Sequence, residues 1–210
     1  MTKKEKVMTF QNELKFINNK DIRKFAIEMI SVLPDYFFEV PASSTGKYHP
    51  EYSLGKGGLV RHTKGAVLIA KTLLDLEMFD EQWNGDNDLP WSNNFTSKEK
   101  DIMITALLLH DGLKHGVEGG KYSVATHPTD MVNYISDYLI KKDLNPRDSM
   151  LNTIQMICDC IASHMGSWNT DRSGKEILPK PKTSMEKFVH LCDYLASRRF
   201  LEVNFDKVEY

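Results

Sequence analysis

The chain has 210 residues, of which 41% are hydrophobic and 27% are charged. This composition is typical of a globular domain with a core of its own, and it excludes an intrinsically disordered chain. The formal net charge of −2 and the pI of about 6.4 indicate no general basic surface, so we expect no stable binding of duplex nucleic acid through phosphate neutralisation.

The sequence also carries signals about the compartment. No segment approaches the roughly 18 apolar residues in a row that a membrane helix needs, and the lysine-rich start MTKKEKVMTF lacks the long apolar region of a signal peptide. Cys158 and Cys160 are too close in sequence for an ordinary structural disulfide, and Cys192 is distant. This cysteine pattern suits a reducing compartment, so we expect a cytoplasmic protein with no membrane partner.

The first third of the chain predicts helices separated by an irregular stretch. Residues 1–19 resemble a short helical arm, and Asp21 can cap a helix that runs to about Leu33, where Pro34 ends it. Residues 35–57 contain several prolines and glycines and no regular pattern. A long helix is expected from Gly58, with His62 in its second turn. Its predicted buried face comprises Leu59, Val67, Leu68, Ala70, Leu73, Leu74 and Leu76.

Residues 79–95 form a long polar loop with two tryptophans, which is either a lid or a surface insertion. Thr96 and Glu99 have the spacing of a capping box, and the helix they begin is an apolar run that ends in His110-Asp111. His127 and Pro128 precede or begin the next helix, which is expected to reach about Lys142.

The last third predicts two more helices. Asn145-Pro146 can start a helix that ends at Ser163-His164, and a loop over residues 167–182 can contain a short hairpin around Ser173-Gly174. Thr183 or Ser184 then caps a final helix to about Arg199, with Asp193 in its middle. No useful alternating strand pattern is present, so the predicted fold class is an all-α, single-domain helical bundle.

Metal-binding residue types recur at the ends or on the apolar segments of five predicted helices. A lone histidine in such a helix is more often a packed core residue, but a carboxylate there is costly unless it is paired or coordinates a metal. The mixture of imidazole and carboxylate suits Mn, Fe, Zn, Co or Ni better than Ca. Six ligands exceed one tetrahedral zinc and suit a two-metal centre with a bridging carboxylate. The candidate ligands are His62, His110, Asp111, His127, His164 and Asp193.

The segments around these residues resemble the HD-domain superfamily of metal-dependent phosphohydrolases. The resemblance is carried by GGLVRHTKGAVLIA, LLLHDGLKHG, THPTD, IASHMG and PKPKTSMEKFVHLCDYLASR. The sequence of these segments is most similar to the HD domain of a bacterial 3′→5′ exoribonuclease family. It covers about residues 48–200, which leaves residues 1–47 as an N-terminal helical arm packed on the core and residues 201–210 as a C-terminal tail.

This resemblance implies a role for each matching residue. His62, His110, Asp111 and Asp193 would hold a first metal ion, and Asp111 would bridge to a second ion held with His127 and His164. Asp111 would thus be catalytic, and so would Lys114, which matches a lysine that contacts the substrate phosphate. Two departures exist: the glycine after HD is shifted by one to Gly112, and Met165 replaces a second adjacent histidine. A thioether is a poor ligand for a hard ion, so the cofactor is expected to be one or two divalent ions.

The implied reaction is hydrolysis of a phosphoester by water that a divalent ion activates. Arg61 and Arg198 are weaker candidates for phosphate contacts, since such residues are more often solvated surface charges. Trp168 is a candidate for stacking on a base, although a tryptophan in such a loop more often packs against it. His49, His115 and His190 remain without a role, although His190 lies one turn before Asp193 and could support it or the core.

The expected substrate is a nucleotide or a short or cyclic oligonucleotide, because the chain has no room for the separate nucleic-acid-binding module of the exoribonuclease relatives. The alternatives are a 3′→5′ exonuclease on short single-stranded RNA or DNA and a catalytically silent HD module that binds a ligand. An oligomer is possible, and the sequence leaves its size open.

Overall fold

A computed structural model describes residues 1–75, 95–143, 147–171 and 173–201. Within them the fold is all-helical, as predicted, and the β-structure is limited to an isolated antiparallel bridge between Thr170 and Glu176 at the expected hairpin. The helices are α1 (Lys3–Thr9), α2 (Lys20–Val32), α3 (Gly58–Asp75), α4 (Ser97–Leu109), α5 (His127–Lys141), α6 (Asp148–Ser163) and α7 (Ser184–Ala196), with short 3-10 turns at Glu13–Phe16, Asp35–Phe38, Glu51–Ser53 and Arg199–Leu201.

Helix α4 is the central element of the bundle. Every residue from Asp101 to Leu109 is buried, and α2, α3, α6 and α7 all pack against α4. A helix that is apolar on all sides is stable only when it is surrounded in this way. Because α4 ends inside the bundle, the two residues that follow it, His110 and Asp111, are delivered into the core.

The helix caps follow the sequence signals with one correction. Thr96 and Glu99 form the predicted capping box, and the Thr183 hydroxyl accepts a hydrogen bond from the Glu186 amide. Asp21 is not the cap of α2: the Asn19 side chain accepts hydrogen bonds from the amides of Asp21 and Ile22, so the helix begins two residues earlier than a cap at Asp21 would allow.

The buried face of α3 differs from the prediction at one residue, and the predicted start of α6 is not described by the structure. Leu68 was expected in the buried face of α3 but is 60% exposed, because α3 packs against α4 and α7 through its other side. The Asn145-Pro146 start of α6, Leu76 and the 79–95 loop except Phe95 lie outside the described residues. Helix α6 begins at Asp148.

The N-terminal segment is tied to the central helix by a buried carboxylate. Asp101 accepts hydrogen bonds from the amides of Asn18 and Asn19 at 2.9 and 2.7 Å, and Lys6 Nζ donates to the Leu33 carbonyl at 2.5 Å. Among the described helices, none combines the length and the apolar run that crossing a bilayer requires.

Candidate metal centre

The six predicted ligands meet at one place in the bundle. His62 comes from the second turn of α3, and His110 and Asp111 follow the end of α4. His127 begins α5, His164 follows the end of α6, and Asp193 lies in the third turn of α7. Five of the six are buried, whereas the Asp193 side chain is 17% exposed. Their donor atoms form overlapping groups of three in which all atoms lie within 4.8 Å of one another.

The two carboxylate oxygens of Asp111 face different histidines. Asp111 Oδ2 lies 3.7 Å from His62 Nε2 and 3.5 Å from His110 Nε2. Asp111 Oδ1 lies 3.0 Å from His127 Nε2 and 3.7 Å from His164 Nε2. This one side chain therefore joins two adjacent donor sets.

Asp193 belongs to the first of these sets. Its Oδ1 atom lies 2.9 Å from His62 Nε2 and 3.4 Å from His110 Nε2. The first set thus contains two imidazoles and two carboxylates, and the second contains two imidazoles and the shared Asp111.

Backbone carbonyls fix the protonation of three of the rings. The Nδ1 atoms of His110, His127 and His164 each lie 2.7 Å from the carbonyl oxygen three residues earlier. A carbonyl only accepts hydrogen bonds, so each Nδ1 carries a proton, and each ring in its neutral form directs the Nε2 lone pair into the centre. This is the tautomer that a metal-binding histidine needs.

The distances between the rings fit a cation. The Nε2 atoms of His62 and His110 are 3.4 Å apart, and those of His127 and His164 are 3.3 Å apart. Facing lone pairs at these distances repel unless a proton or a metal ion lies between them. In addition, Asp111 Oδ1 is buried without a hydrogen-bond partner. Buried imidazole and carboxylate donors of this kind suit a divalent transition metal.

The electrostatics of the centre also favour positive charge. Burial alone would lower the pKa of His110, but Asp111 and Asp193 outweigh it and raise this pKa to about 10. Burial alone would raise the pKa of Asp111, but Lys114 and His110 hold it well below its usual range. His110 and His62 do the same for the pKa of Asp193. By contrast, burial lowers the pKa of His164.

Lys114 is the ammonium group paired with the shared carboxylate of the centre. Its Nζ atom is 2.5 Å from Asp111 Oδ2, and its side chain is 14% exposed. Asp193 and Lys114 are thus partly exposed polar groups beside a cluster that is otherwise largely buried.

Gly112 and Gly166 follow two of the turns that carry candidate ligands, and both lie close to other side chains. A Cβ at Gly112 would lie 2.8 Å from both Leu33 Cδ2 and Met131 Sδ, so a larger residue in the turn after Asp111 would require these two side chains to move. Gly166 has φ +58, and a Cβ there would lie against the His190 ring, 2.7 Å from its Nδ1.

His190 supports His164 instead of Asp193. The His190 Nδ1–H donates to the His164 carbonyl oxygen at 2.6 Å. The compact turn at Gly166 allows this contact, which holds the backbone of one candidate ligand in place.

Arg61, a predicted phosphate contact, is exposed and lies in the first turns of α3. Its guanidinium donates to the carbonyl oxygens of Tyr52, Leu54 and Lys56. These bonds hold the turn before α3, and a phosphate contact by Arg61 stays a prediction. Trp168 and Arg198 lie together on the surface beside Tyr194, and Met165 is partly buried in the turn after His164.

No role for His49 was predicted from the sequence. In the structure its ring centre lies 5.7 Å from that of His62. Burial, together with the nearby His62 and Lys114, lowers the pKa of His49 to about 4. Its irregular segment offers no periodicity from which this position could be predicted. His115 is a packed residue: it stacks on Tyr36, and its Nδ1–H donates to the Gly120 carbonyl at 2.8 Å.

Comparison with known proteins supports the interpretation of the motifs. No curated protein and no solved structure matches the chain significantly, so the closer likeness to a bacterial exoribonuclease stays a prediction. The family model described as HD domain matches residues 58–198, about two thirds of the chain, and this range includes all six converging side chains. The chain therefore belongs to the HD domain family.

Proposed function

We propose that this protein is a metal-dependent phosphohydrolase that hydrolyses a phosphoester of a nucleotide or of a short or cyclic oligonucleotide. HD domains are typically metal-dependent hydrolases. The observation that carries the proposal is the position of Asp111, whose two oxygens face two sets of imidazoles inside one buried cluster.

His62, His110, Asp111 and Asp193 would hold one divalent ion, and Asp111, His127 and His164 would hold a second. Such ions supply Lewis acidity toward phosphoryl oxygens and make water a better nucleophile near neutral pH. The carbonyls bonded to the Nδ1 atoms keep the rings oriented, and the surrounding apolar helices keep the local dielectric low.

Lys114 would contact the phosphate of the substrate. It pairs with Asp111 Oδ2 and remains partly exposed, which supports a role in which it would offset negative charge on a phosphoryl group that approaches the centre. The same ion pair orients the Asp111 carboxylate toward both donor sets.

The near-neutral composition favours a small substrate over a long duplex, because net charge −2 provides little general attraction for phosphate backbones. The proposal includes a cytoplasmic location, which is supported by three buried cysteines that are all free.

The first experiment is elemental analysis of protein purified without a histidine tag or chelator. We expect one or two transition-metal ions per chain in the wild type and a loss of bound metal in Asp111→Asn. The matched control is Asp101→Asn, another buried aspartate, which bonds the N-terminal segment and should reduce stability while leaving the metal content unchanged.

The second experiment separates the possible reactions. Phosphate release from mononucleotides is compared with cleavage of a labelled single-stranded oligonucleotide and of a cyclic dinucleotide, each with Mn²⁺ and with wild type and Asp111→Asn. Stepwise shortening of the oligonucleotide would identify the exonuclease alternative. Metal binding without hydrolysis of any substrate, or unchanged activity in Asp111→Asn, would overturn the proposed function.

A further inference from the structure

Four side chains from three distant segments form a cluster that we call the aromatic shelf: Tyr48, Trp168, Tyr194 and Arg198. Arg198 Cζ lies 4.2 Å from the ring centre of Tyr194, 5.3 Å from that of Trp168 and 6.0 Å from that of Tyr48. The rings of Trp168 and Tyr194 are nearly parallel, at 17°, with centroids 5.8 Å apart. The guanidinium thus holds the aromatic rings together.

The shelf is open to solvent. Trp168 is 52% exposed and Tyr48 is 57% exposed. Two large aromatic side chains therefore leave much of their apolar surface in contact with water. Arg198 Nε donates to Ser197 Oγ at 3.2 Å. Its two terminal nitrogens make no hydrogen bond within the described ranges and are free to bind a ligand.

Each part of the shelf is connected to the metal centre. Tyr194 directly follows Asp193, the most exposed of the candidate ligands. Trp168 contacts the ring of His190, which donates to the His164 carbonyl. Tyr48 precedes His49, whose ring lies against His62. The shelf therefore lies next to residues that contact or adjoin the candidate ligands.

We propose that the aromatic shelf stacks on the nucleobase of the substrate, with Trp168 as the stacking surface and Arg198 as the cation that holds it and contacts the substrate's polar groups. This inference rests on the proposed function and narrows it to phosphoesters that carry an unpaired base. Every base has a π-face, so stacking would accept different bases. Bases inside a duplex would be excluded, because their faces are already covered by neighbouring pairs.

The test measures binding without requiring hydrolysis. Calorimetric titrations of chelator-treated protein use adenosine 5′-monophosphate and ribose 5-phosphate, which share a phosphate but differ in the base. Stacking of one base contributes about 1–3 kcal/mol, roughly a 5- to 150-fold change in affinity. We expect wild type to bind the base-bearing probe at least about fivefold more tightly.

Two variants at one position separate stacking from simple packing. Trp168→Ala should lose the preference for adenosine 5′-monophosphate and keep its affinity for ribose 5-phosphate, whereas Trp168→Tyr should retain most of the preference. Thermal unfolding of both variants shows whether they are folded. Equal binding of the two probes by wild type, or an unchanged preference in Trp168→Ala, would overturn the proposal that the aromatic shelf binds a nucleobase.

The outcomes also distinguish the two proposals. A preference that depends on Trp168 in a protein that hydrolyses no phosphoester would retain the base site and reject the enzyme. Hydrolysis that is equally fast with an oligonucleotide ending in an abasic residue would retain the enzyme and reject the base site.

Discussion

Asp111 is a fully buried carboxylate that lies among four imidazoles and one ammonium group. An isolated charge in such a place is strongly unfavourable, so its surroundings must supply compensating positive charge. Lys114 and a proton on His110 can do so in the metal-free protein, because the pKa of His110 is about 10. A metal ion would take over this compensation.

This arrangement predicts that metal binding releases a proton from His110. A coordinating imidazole must be deprotonated, and the carboxyl groups of Asp111 and Asp193 have lowered pKa values and carry no proton to release. Calorimetric titration of Mn²⁺ at pH 7.5, in buffers of different ionisation enthalpy, should show about one proton released per chain, and the affinity should rise about tenfold per pH unit in the neutral range.

The sign for stability follows from the same shift. Because folding raises the pKa of His110 above its ordinary value of 6.5 to about 10, its contribution to the stability of the metal-free protein is complete below pH 6.5 and is lost as the pH rises through about 10. Metal binding with no proton release in any buffer would contradict the assigned protonation of His110.

At the scale of helices, the turn between α6 and the following loop sets the position of His164. Gly166 has φ +58 and lies against His190, which holds the His164 carbonyl. An L-residue in the left-handed region costs roughly 1–2 kcal/mol, and overpacking against a ring costs about 1–3 kcal/mol more. Gly166→Ala should therefore lower the free energy of unfolding by about 3 kcal/mol and reduce metal content.

Gly55→Ala is the matched control for this prediction. Gly55 has φ +65, but a Cβ there would meet nothing within 4 Å, so the variant incurs only the backbone cost of roughly 1–2 kcal/mol. Chemical denaturation measures both variants. Equal losses of stability with unchanged metal content would show that the contact between Gly166 and His190 does not position His164.

The helices themselves could largely be predicted from sequence. The capping residues of α4 and α7 and the apolar run of α4 depend only on neighbouring residues, so these features were predicted correctly. The prediction that Leu68 is buried was wrong, because the apolar pattern of one helix does not show which other helices will pack against it. Asn19 was missed as the cap because Asp21 is an equally good capping residue type nearby.

The convergence of the six candidate ligands was predictable, since the motifs carry each of them, but the contacts that support them were not. The hydrogen bond from His190 to His164 joins residues 26 positions apart. The carbonyls bound by Arg61 depend on the path of an irregular turn. His49 reaches His62 from a segment without periodicity. Such contacts are set by tertiary structure, which leaves no local pattern.

At the scale of the whole molecule, the bundle is organised so that five helices end or pass at one point around α4. We propose that residues 1–47 act as an arm on this core, because α1 packs on α2 and the buried carboxylate of Asp101 fastens Asn18 and Asn19 to α4. This connection lies apart from the ligands, so the arm would affect stability more than chemistry.

The convergence of α3 to α7 predicts that metal binding stabilises the entire fold. An ion that binds only the native state adds about 4 kcal/mol of stability when its concentration is a thousand times Kd. For a chain of this size each kcal/mol raises Tm by about 2–4 °C, so saturating Mn²⁺ should raise Tm by roughly 10 °C in scanning calorimetry, and a chelator should reverse the shift.

Two variants make this last prediction specific to the centre. Asp111→Asn removes the carboxylate shared by both donor sets and should abolish the metal-dependent shift in Tm. Asp101→Asn removes a buried charge outside the centre and should lower Tm in the absence of metal while preserving the full shift. If Asp111→Asn were stabilised by Mn²⁺ as much as the wild type, the ion would bind elsewhere, and the helices would not be joined by a metal at Asp111.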